Sequence, residues 1–559
     1  MSEGTVSEGT VSEGTVSEGT VSGGELLVDL LRQLEVEAAF GVVSVHNLPL
    51  VDAIDRHLRW VPTRTEAGAV GAADGYARSG GGFGCAVTST GTGAGNAAGA
   101  LIEAMSAATP LLHVTGQIES KYLGQGRGVI HETPRQLEML AGCSVHAATI
   151  GDDPAAAFST AVVRAMQHPR GPVSLEWPID RQFATYPAAP LPSVTAASSA
   201  VNGDLDRAID LLRNARRPLV WAGGGALGCG DLLGELLDRT GAALFTSNSG
   251  RGALPESDPR VLGNFASSGA GADLLAEADV LLSIGTHFRS NETRSYKLGL
   301  PATHVQIDVD PEALGRTYSC NVGLEGETTS VLSAVLAGLA QVDVDPGWAS
   351  TVAAARAAMR NQLIADIGPY APICDAINQV LGDDAPRVRD ITIPNSSWGN
   401  RLLGITDART NIYPRGGGIG QALGMGIGAS IARPDSPTMV LMGDGGLQVQ
   451  VGELATVAQE QLPITLIVFD DGGYGVLRNM QDAHLDRRSG VDLFTPAMAD
   501  LASANDMAYS RVEQAAEFLP AFERMVATGA PAMVHVDCST LGPMPKPFTP
   551  PVDIPEPPT

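Results

Sequence analysis

The chain has 559 residues, of which 44% are hydrophobic and 18% charged, and its formal net charge is −26. This length exceeds what one hydrophobic core can organise and predicts about three domains, with the composition of a compact α/β protein rather than a disordered or fibrous one. The acidic balance argues against a nucleic-acid partner, because phosphate backbones are bound by clustered lysines and arginines.

The cysteines and the apolar runs bear on the cellular setting. The six cysteines are scattered, with no CxxC pair, and they are interpreted as free thiols of a reducing compartment. No stretch of about 20 uninterrupted apolar residues occurs, and the amino terminus lacks the basic and apolar blocks of a secretion signal. We therefore expect a cytoplasmic protein with no membrane partner.

The chain opens with a short repeat, SEGTV, which occurs four times over residues 2 to 21. We expect residues 1–24 to form a disordered tail, because the period is too short for a stacked repeat unit and the composition buries almost nothing. The folded part is predicted to begin at Glu25, where leucines at helical spacing precede a short buried strand.

Strand and helix patterns alternate through the rest of the chain and are interrupted twice. A stretch rich in proline and alanine after residue 185 predicts a linker, and the periodicity lapses again near residue 345. The alternation predicts three tandem parallel-sheet α/β domains, over residues 25–185, 204–341 and 360–545.

The second domain contains a glycine pattern of uncertain specificity. Gly223, Gly225 and Gly228 follow the strand LVWA and spell GxGxxG, the signature of a dinucleotide-binding turn. No acidic residue ends the next strand, ALFTS, where a ribose contact would be expected. We therefore expect no nicotinamide cofactor, and we interpret the glycines as packing between strand and helix.

The strongest local pattern lies in the third domain, over residues 439–474. A buried strand, MVLM, ends just before Gly443 and Asp444. A helix is predicted over residues 453–461, and a second strand over residues 464–469 is followed by Asp470 and Asp471. Because βαβ crossovers bring parallel strands close together, both carboxylates are expected at one edge of the sheet. A single GDG would be interpreted as a turn, but paired carboxylates with nearby glycines suit Mg²⁺ and the phosphate oxygens of a diphosphate.

This region carries a family resemblance. The segment GDGGLQVQVGELATVAQEQLPITLIVFDDGGYG resembles the thiamine diphosphate motif of the acetolactate synthase and pyruvate decarboxylase superfamily. The resemblance implies that the metal is held by Asp444, Asp471 and the Gly473 carbonyl. Further cofactor contacts are implied for Gly445, Gly446 and Tyr474. The family usually has Asn-Asn where this chain has Asp-Asp at 470 and 471, and we expect metal binding to survive that departure.

A second segment, RGGGIGQALGMGIGA, resembles the glycine-rich segment of the same family. In that family a carbonyl near Gly417 meets the 4′-amino group of the cofactor, and Ile419 wedges beneath its rings. Without the resemblance, Ile419 would be interpreted as an ordinary core residue. Asn395 and Ser396 fall where the family has diphosphate contacts.

A third segment, RTEAGAVGAADGYAR, resembles the first-domain helix of the superfamily and places Glu66 at the helix start. An acid in a first helical turn is otherwise most often a favourable dipole interaction. The resemblance implies that Glu66 hydrogen-bonds N1′ of the cofactor and thereby promotes loss of its C2 proton. It also implies that Glu66 and the Mg²⁺ site of one cofactor come from different subunits, so we expect a homodimer or homotetramer built from pyrimidine-binding, central and diphosphate-binding domains.

Two histidines are candidate catalytic residues. His46 lies in SVHNLP, a loop where lyases and decarboxylases of this superfamily place a polar catalytic residue. His131 lies in GVIHET, where acetolactate synthases have the Gln of a Phe-Gln-Glu segment. A loop histidine is by default a solvated residue, but imidazoles titrate near neutrality and suit proton transfer to a carbanion-like carbon.

The resemblance implies a thiamine diphosphate- and Mg²⁺-dependent enzyme that acts on a small-molecule 2-oxo acid. The first hypothesis is an acetolactate synthase-like decarboxylating carboligase, and the alternative is simple decarboxylation of the benzoylformate decarboxylase type. Neither subfamily fits fully, because Met480 and HFRSN depart from acetolactate synthase, and Val45 and Ser89 replace the active-site Ser and His of benzoylformate decarboxylase. A catalytically silent scaffold is a third alternative, which the presence of Glu66 and Asp444 disfavours.

FAD is not expected in the central domain. Acetolactate synthases usually carry a Gly-Met-His-Gly run against the flavin, whereas this chain has GNFA at residues 263–266. The purified protein is therefore expected to be colourless and to need only thiamine diphosphate and Mg²⁺.

Overall fold

Three six-stranded sheets follow one another along the chain, and every strand pair within them is parallel. The computed structural model describes residues 19–188 and 200–551. The repeat up to residue 18 and most of the predicted linker therefore lie outside the described residues. The three tandem parallel-sheet α/β domains predicted from the sequence are confirmed.

The first domain builds its sheet from strands that alternate with helices. Its elements are β1 (Thr20–Ser22), α1 (Gly23–Gln33), β2 (Ala38–Gly41), α2 (Leu48–His57), β3 (Arg59–Pro62), α3 (Glu66–Tyr76), β4 (Gly84–Thr88), α4 (Thr92–Ala107), β5 (Leu111–Gln117), α5 (Gln136–Gly142), β6 (His146–Thr149), α6 (Pro154–Met166), β7 (Pro172–Pro178), α7 (Ile179–Gln182) and β8 (Thr185–Pro187). The strand order is β3-β2-β4-β5-β7-β6, and the chain reverses direction across the sheet between β2 and β4.

The central domain repeats this architecture. Its elements are α8 (Leu205–Arg213), β9 (Pro218–Ala222), α9 (Gly230–Thr240), β10 (Ala243–Thr246), β11 (Val261–Gly263), α10 (Gly269–Glu277), β12 (Val280–Ile284), β13 (Thr303–Asp308), β14 (Val322–Glu325) and α11 (Thr328–Gly338). The strand order is β11-β10-β9-β12-β13-β14.

The third domain carries the diphosphate motif. Its elements are α12 (Trp348–Ile367), α13 (Ala371–Val380), β15 (Arg387–Arg389), α14 (Asn400–Leu402), β16 (Asn411–Ile412), α15 (Ala422–Ala432), β17 (Thr438–Gly443), α16 (Asp444–Val449), α17 (Glu453–Gln459), β18 (Ile464–Asp470), α18 (Gly475–His484), α19 (Met498–Ala504), β19 (Ala508–Val512), α20 (Ala515–Val526), β20 (Ala532–Asp537) and α21 (Cys538–Leu541). The strand order is β16-β15-β17-β18-β20-β19, so β15 and β17 flank the point where the strand order reverses. Ligands of parallel α/β sheets bind outside the carboxyl ends of the strands at such a point.

The predicted tail requires a correction at its carboxyl-terminal end. Residues 20–22 form β1, which pairs antiparallel with β8, and α1 begins at Gly23 rather than at Glu25. Ser22 caps this helix, because its hydroxyl accepts from the Glu25 amide while the Glu25 carboxylate accepts from the Ser22 amide at 2.8 Å. This capping box gives the Ser22 and Glu25 backbone amides hydrogen-bond partners and so fixes the start of the helix. The composition of the repeat does not predict this local interaction.

Two of the four buried clusters in the described residues cross domain boundaries, and the other two lie within the central and the first domain. One buried cluster joins residues of the first sheet, such as Phe40, to residues of the third sheet, such as Val440. Another joins central-domain residues such as Trp221 to third-domain residues such as Val534. Helix α3 of the first domain packs directly on α15 of the third domain, and this contact fixes the position of the two sheets relative to each other. Within the described ranges, no helix is both long and apolar enough to cross a membrane.

Candidate active site

A cavity of about 760 Å³ lies at the carboxyl ends of β15, β17 and β18. Residues 391–394 follow β15, Gly443–Gly446 lie at the end of β17, and residues 471–479 follow β18, and each of these segments contributes to its lining. The position is the one that the switch in strand order predicts for a ligand.

Asp444 and Asp471 meet in this cavity. Strands β17 and β18 pair in register, with Gly443 opposite Phe469, so the residues that follow them emerge side by side. Asp444 Oδ2 accepts a hydrogen bond from Thr495 Oγ1 at 2.8 Å. Asp444 Oδ1 and Asp471 Oδ1 are buried and accept no hydrogen bond from any described residue. Arg478 Nη1 lies 3.7 Å from Asp471 Oδ1 and offsets only part of the charge of the two buried carboxylates. Because burial of carboxylate charge is costly, the pair favours a further cation.

Burial of the two carboxyl groups also shifts their pKa values. Burial, followed by the neighbouring Asp444 charge, raises the pKa of Asp471 to about 6. Burial also raises the pKa of Asp444, although the Thr495 hydrogen bond opposes this. In the described part of the chain no group of three or more His, Cys, Asp or Glu side chains could hold a metal. Two carboxylates with open positions for carbonyl and phosphate oxygens are a donor set that fits Mg²⁺.

The turn after β18 depends on glycine. Gly472 and Gly473 have φ values of +80° and +141°, which L side chains rarely adopt, and a Cβ on Gly473 would lie 2.2 Å from the Val491 carbonyl oxygen. Asp470 stabilises the turn, since its carboxylate accepts from the Gly472 amide at 3.2 Å and pairs with His535 Nε2 at 3.1 Å. The acid at 470, which departs from the family pattern, therefore supports the loop that carries Asp471.

The glycines after β17 allow close packing. A Cβ on Gly445 would lie 2.9 Å from the ring of Tyr474, and one on Gly446 would lie 2.3 Å from Asp390 Oδ2. Gly446 and Tyr474 line the cavity, whereas Gly445 is buried behind it.

The predicted glycine-rich loop forms another wall of the cavity. Gly417 and Ile419 both line it, and Ile419 is 37% exposed, which is unlike an ordinary core residue. Gly417 has a φ of +95°, so the crest of the loop is strained for any other residue.

Asn395 and Ser396 are placed away from the cavity lining. The Asn395 side chain is buried, where its oxygen accepts from Arg389 Nε at 2.9 Å and its amide donates to the Asp390 carbonyl at 2.8 Å. The residues of this segment that line the cavity are 391–394, including Thr392, which sequence reasoning did not select.

Glu66 begins α3 in the first domain. Thr65 caps the helix by accepting from the Gly68 amide at 2.9 Å, and Glu66 Oε2 accepts from Asn96 Nδ2 at 3.1 Å. The extended segment before the helix is anchored to the third domain, because the Thr65 amide and hydroxyl each donate to Glu453 at 2.9 Å.

His46 and His131 lie against each other, although they come from loops 85 positions apart (131 minus 46). Their ring centroids are 5.3 Å apart in an edge-to-face arrangement. His46 is buried and His131 is exposed, with a left-handed φ of +68°. Burial, followed by the charge of His131, lowers the pKa of His46. Strained backbone of this kind is often found at functional sites.

Two of the three predicted catalytic residues, Glu66 and His131, border the turn at Gly91–Gly93 of the first domain, and His46 contacts the His131 ring. A Cβ on Gly93 would lie 2.9 Å from Glu66 Oε1, and a Cβ on Gly91 would lie 2.5 Å from the His131 carbonyl oxygen. Among the described residues, the lining of the third-domain cavity includes none of the three. The residues predicted from the sequence therefore fall into two separate groups, called here the Glu66 half-site, with the two histidines, and the aspartate half-site, with Asp444 and Asp471.

Sequence reasoning also missed two buried carboxylates that hold the glycine-rich loop. Glu103 Oε2 accepts from the Gly416 amide at 2.5 Å, and Glu103 Oε1 accepts from the Gly418 amide at 2.6 Å. Asp390 Oδ2 accepts from the Gly420 amide at 2.8 Å. Asp390 could have been found as an acid that ends a strand, and Glu103 as the one acid in the apolar helix run ALIEAM.

Comparisons with known proteins bear on this geometry. Three family models match in order: "Thiamine pyrophosphate enzyme, N-terminal TPP binding domain" over residues 21–139, the "central domain" over 205–335 and the "C-terminal TPP binding domain" over 394–536. A probable 2-ketoarginine decarboxylase of Pseudomonas aeruginosa is 34% identical over 472 residues, covering 82% of this chain and 83% of that protein. The chain belongs to the thiamine diphosphate-dependent enzyme family.

Other members of the family are also similar. The acetolactate synthase isozyme 2 large subunit of Escherichia coli is 26% identical over 533 residues, covering 92% of this chain and 95% of that protein. A probable acetolactate synthase large subunit of Methanocaldococcus jannaschii is 26% identical over 541 residues, covering 92% and 91%. The first-domain and third-domain half-sites lie within or beside the two TPP-binding matches. Thiamine diphosphate is therefore the cofactor of this chain, and Mg²⁺ is its usual companion in the family.

Two of the three glycines in the central-domain pattern of this thiamine diphosphate enzyme allow close packing, and the third, Gly228, has a φ of +82° with no atom within 4 Å of a Cβ. A Cβ on Gly223 would lie 2.1 Å from the Gly285 carbonyl oxygen, and one on Gly225 would lie 2.8 Å from Gly285 Cα. The turn is thus closed against the end of the next strand in the sheet, β12. The absence of FAD stays a prediction.

Proposed function

We propose that this thiamine diphosphate enzyme decarboxylates a 2-oxo acid and releases the aldehyde, with Mg²⁺ at Asp444 and Asp471. The observation that carries this proposal is the contact between the His46 and His131 rings, in the same domain as Glu66. Release of an aldehyde requires a proton on the carbon that has lost CO₂, and paired imidazoles are suited to supply it. The order of the two hypotheses from the sequence is therefore reversed, with simple decarboxylation first.

The residues divide the work as follows. When bound, thiamine diphosphate supplies the carbon that takes up the substrate carbonyl and accepts the electrons left by CO₂. Asp444, Asp471 and the Gly473 carbonyl would hold the Mg²⁺ that anchors the diphosphate. Glu66 would hold a proton at N1′, and Ile419 would support the rings. Burial lowers the pKa of His46, and His46 would act together with the exposed His131 in proton transfer.

Carboligation is the second candidate, and the similarity to acetolactate synthases over 92% of the chain favours it. The two functions differ in whether the same carbon is protonated or attacks a second carbonyl compound. The similarity to a probable 2-ketoarginine decarboxylase makes a 2-oxo acid with a guanidinium side chain a substrate to test first.

The proposed function is tested with a panel of 2-oxo acids that includes 2-ketoarginine and pyruvate, each alone and with an aldehyde, with products identified by mass spectrometry. His131→Gln and His46→Gln are expected to slow aldehyde release by roughly 10², the usual cost of losing an acid/base group. His57→Gln, at an exposed helix end, is the control and should be unaffected. Aldehyde release at the wild-type rate in both active-site variants would contradict the role of the pair.

We further propose that the two half-sites meet across a homodimer interface. Among the described residues, Glu66 and the histidines do not line the aspartate cavity, and exposed apolar side chains lie next to residues of both half-sites. Val45 and Ile130, next to the histidines in the chain, are 60% and 68% exposed. Phe494, the neighbour of the Thr495 that hydrogen-bonds Asp444, is 89% exposed. Burial of such side chains against a second copy would stabilise a closed dimer.

Mixed dimers test this arrangement. Glu66→Gln and Asp444→Ala subunits, co-expressed with different tags and purified through both, would contain one intact site and one doubly altered site per dimer. We expect about half of the wild-type activity from the mixed dimer and almost none from either homodimer. A mixed dimer as inactive as its parents, or a monomer of wild-type activity in sedimentation, would overturn the shared site.

A further inference from the structure

The glycine-rich wall of the cavity is held from another domain. Glu103 lies on α4 of the first domain, 313 residues from Gly416 and 315 from Gly418, and its carboxylate accepts from both of their amides. The side chain is 4% exposed, so these two hydrogen bonds are shielded from water. Gly417, which lines the cavity, lies between the two anchored residues.

The contact is a close fit. A Cβ on Gly416 would lie 2.9 Å from both carboxylate oxygens, and a Cβ on Gly418 would lie 2.7 Å from Glu103 Oε1. Glycine at both positions is therefore what lets the backbone approach the carboxylate. At the far end of the same loop, the Gly420 amide donates to Asp390. The loop is thus held between one carboxylate of the first domain and one of the third.

Helix α4 also connects the two half-sites of one chain. It begins at Thr92, in the turn that contacts both Glu66 and His131, and Glu103 lies three turns further on. A rigid helix therefore spans from the Glu66 half-site to the loop of the aspartate half-site. This contact is distinct from the anchoring of the diphosphate, which is proposed to depend on Asp444 and Asp471.

We propose that Glu103 is a positioning residue, which fixes the Gly417 carbonyl and Ile419 against the aminopyrimidine side of the cofactor. The proposal rests on the proposed function for the identity of what the loop contacts. Glu103 itself touches no reacting atom. Replacing one carboxylate oxygen with an amide would set an N–H₂ group against a backbone N–H, which leaves a buried donor unsatisfied and frees the loop.

Hydrogen exchange without cofactor tests the clamp directly. In Glu103→Gln, the amides of Gly416 and Gly418 are expected to exchange about 10-fold faster than in the wild type, because both donate to the Glu103 carboxylate. Asp279→Asn is the matched control, since Asp279 accepts from the Arg216 and Arg217 amides at 2.7 and 2.9 Å in the central domain. That control should leave the exchange of Gly416 and Gly418 unchanged.

The cofactor-bound enzyme supplies the second readout. In Glu103→Gln the near-ultraviolet circular dichroism of bound thiamine diphosphate should change and C2 proton exchange should slow about 10-fold, while cofactor affinity stays within about threefold. Glu103→Asp, which keeps the charge, should recover part of the circular dichroism signal and part of the C2 exchange rate. If Glu103→Gln does not fold, Glu103→Asp is measured in its place. Unchanged protection of Gly416 and Gly418, or an affinity loss as large as the loss of C2 exchange, would overturn the proposal. Failure of the wild type to bind thiamine diphosphate would instead overturn the proposed function.

Discussion

Glu66→Gln is expected to slow exchange of the cofactor C2 proton and turnover by roughly 10² or more, the cost of a lost acid/base contact. Cofactor affinity should change little, because the anchoring carboxylates lie in the other half-site. Gln keeps the size of the side chain and can still pair with Asn96, which now contacts Glu66 Oε2 at 3.1 Å. The measurement is proton exchange at C2 by NMR after rapid quenching, together with kcat.

A matched control separates catalysis from helix stability. Glu138 is also an acid in the first turn of a helix, α5, but it lies on the exposed surface. Glu138→Gln should keep wild-type exchange and turnover, since a surface charge at a helix start contributes only a few tenths of a kcal/mol to about 1 kcal/mol. Normal turnover in Glu66→Gln would remove Glu66 from the mechanism.

Asp444→Ala is expected to abolish the rise in melting temperature that thiamine diphosphate and Mg²⁺ produce together in the wild type. A ligand at about 100 times its Kd stabilises the folded state by about 2.7 kcal/mol, and either component alone should do less. Asp52→Ala, at an exposed surface position in the first domain, should keep the full shift. A wild-type shift in Asp444→Ala, measured by differential scanning fluorimetry, would place the metal elsewhere.

The Asp444 and Asp471 site also makes the stability of the cofactor-free protein and its affinity for Mg²⁺ depend on pH. The pKa of Asp471 is raised from its usual 3.8 to about 6, so between these values the folded, cofactor-free protein binds a proton that the unfolded chain does not. The contribution of Asp471 to stability therefore falls as pH rises through this window. Mg²⁺ needs the ionised carboxylate, so its affinity should weaken below about pH 6, where a titration calorimetry series would show it.

Much of the third-domain site could be predicted from the sequence. The prediction rests on local patterns, because a buried strand, a crossover helix and a second strand follow one another in consecutive residues. Parallel pairing of the two strands then brings Asp444 and Asp471 to one sheet edge. The glycines at 472 and 473 are equally local, because their φ values are requirements of one turn. The segment after β15 differs from the prediction, because Thr392 lines the cavity and the side chain of Asn395 points into the interior.

The sequence by itself determined the three parallel sheets, the paired aspartates and the resemblance that points to Glu66, because periodicity, strand-ending acids and helix starts are properties of adjacent residues. Only the tertiary structure decided that the His46 ring contacts the His131 ring, that His131 and Glu66 border the turn at Gly91–Gly93, and that Glu103 holds the loop of another domain. No spacing in the chain encodes a hydrogen bond between residues 313 positions apart. Such contacts arise from the packing of α3 on α15 and of whole domains on one another, where burial is shared between distant segments.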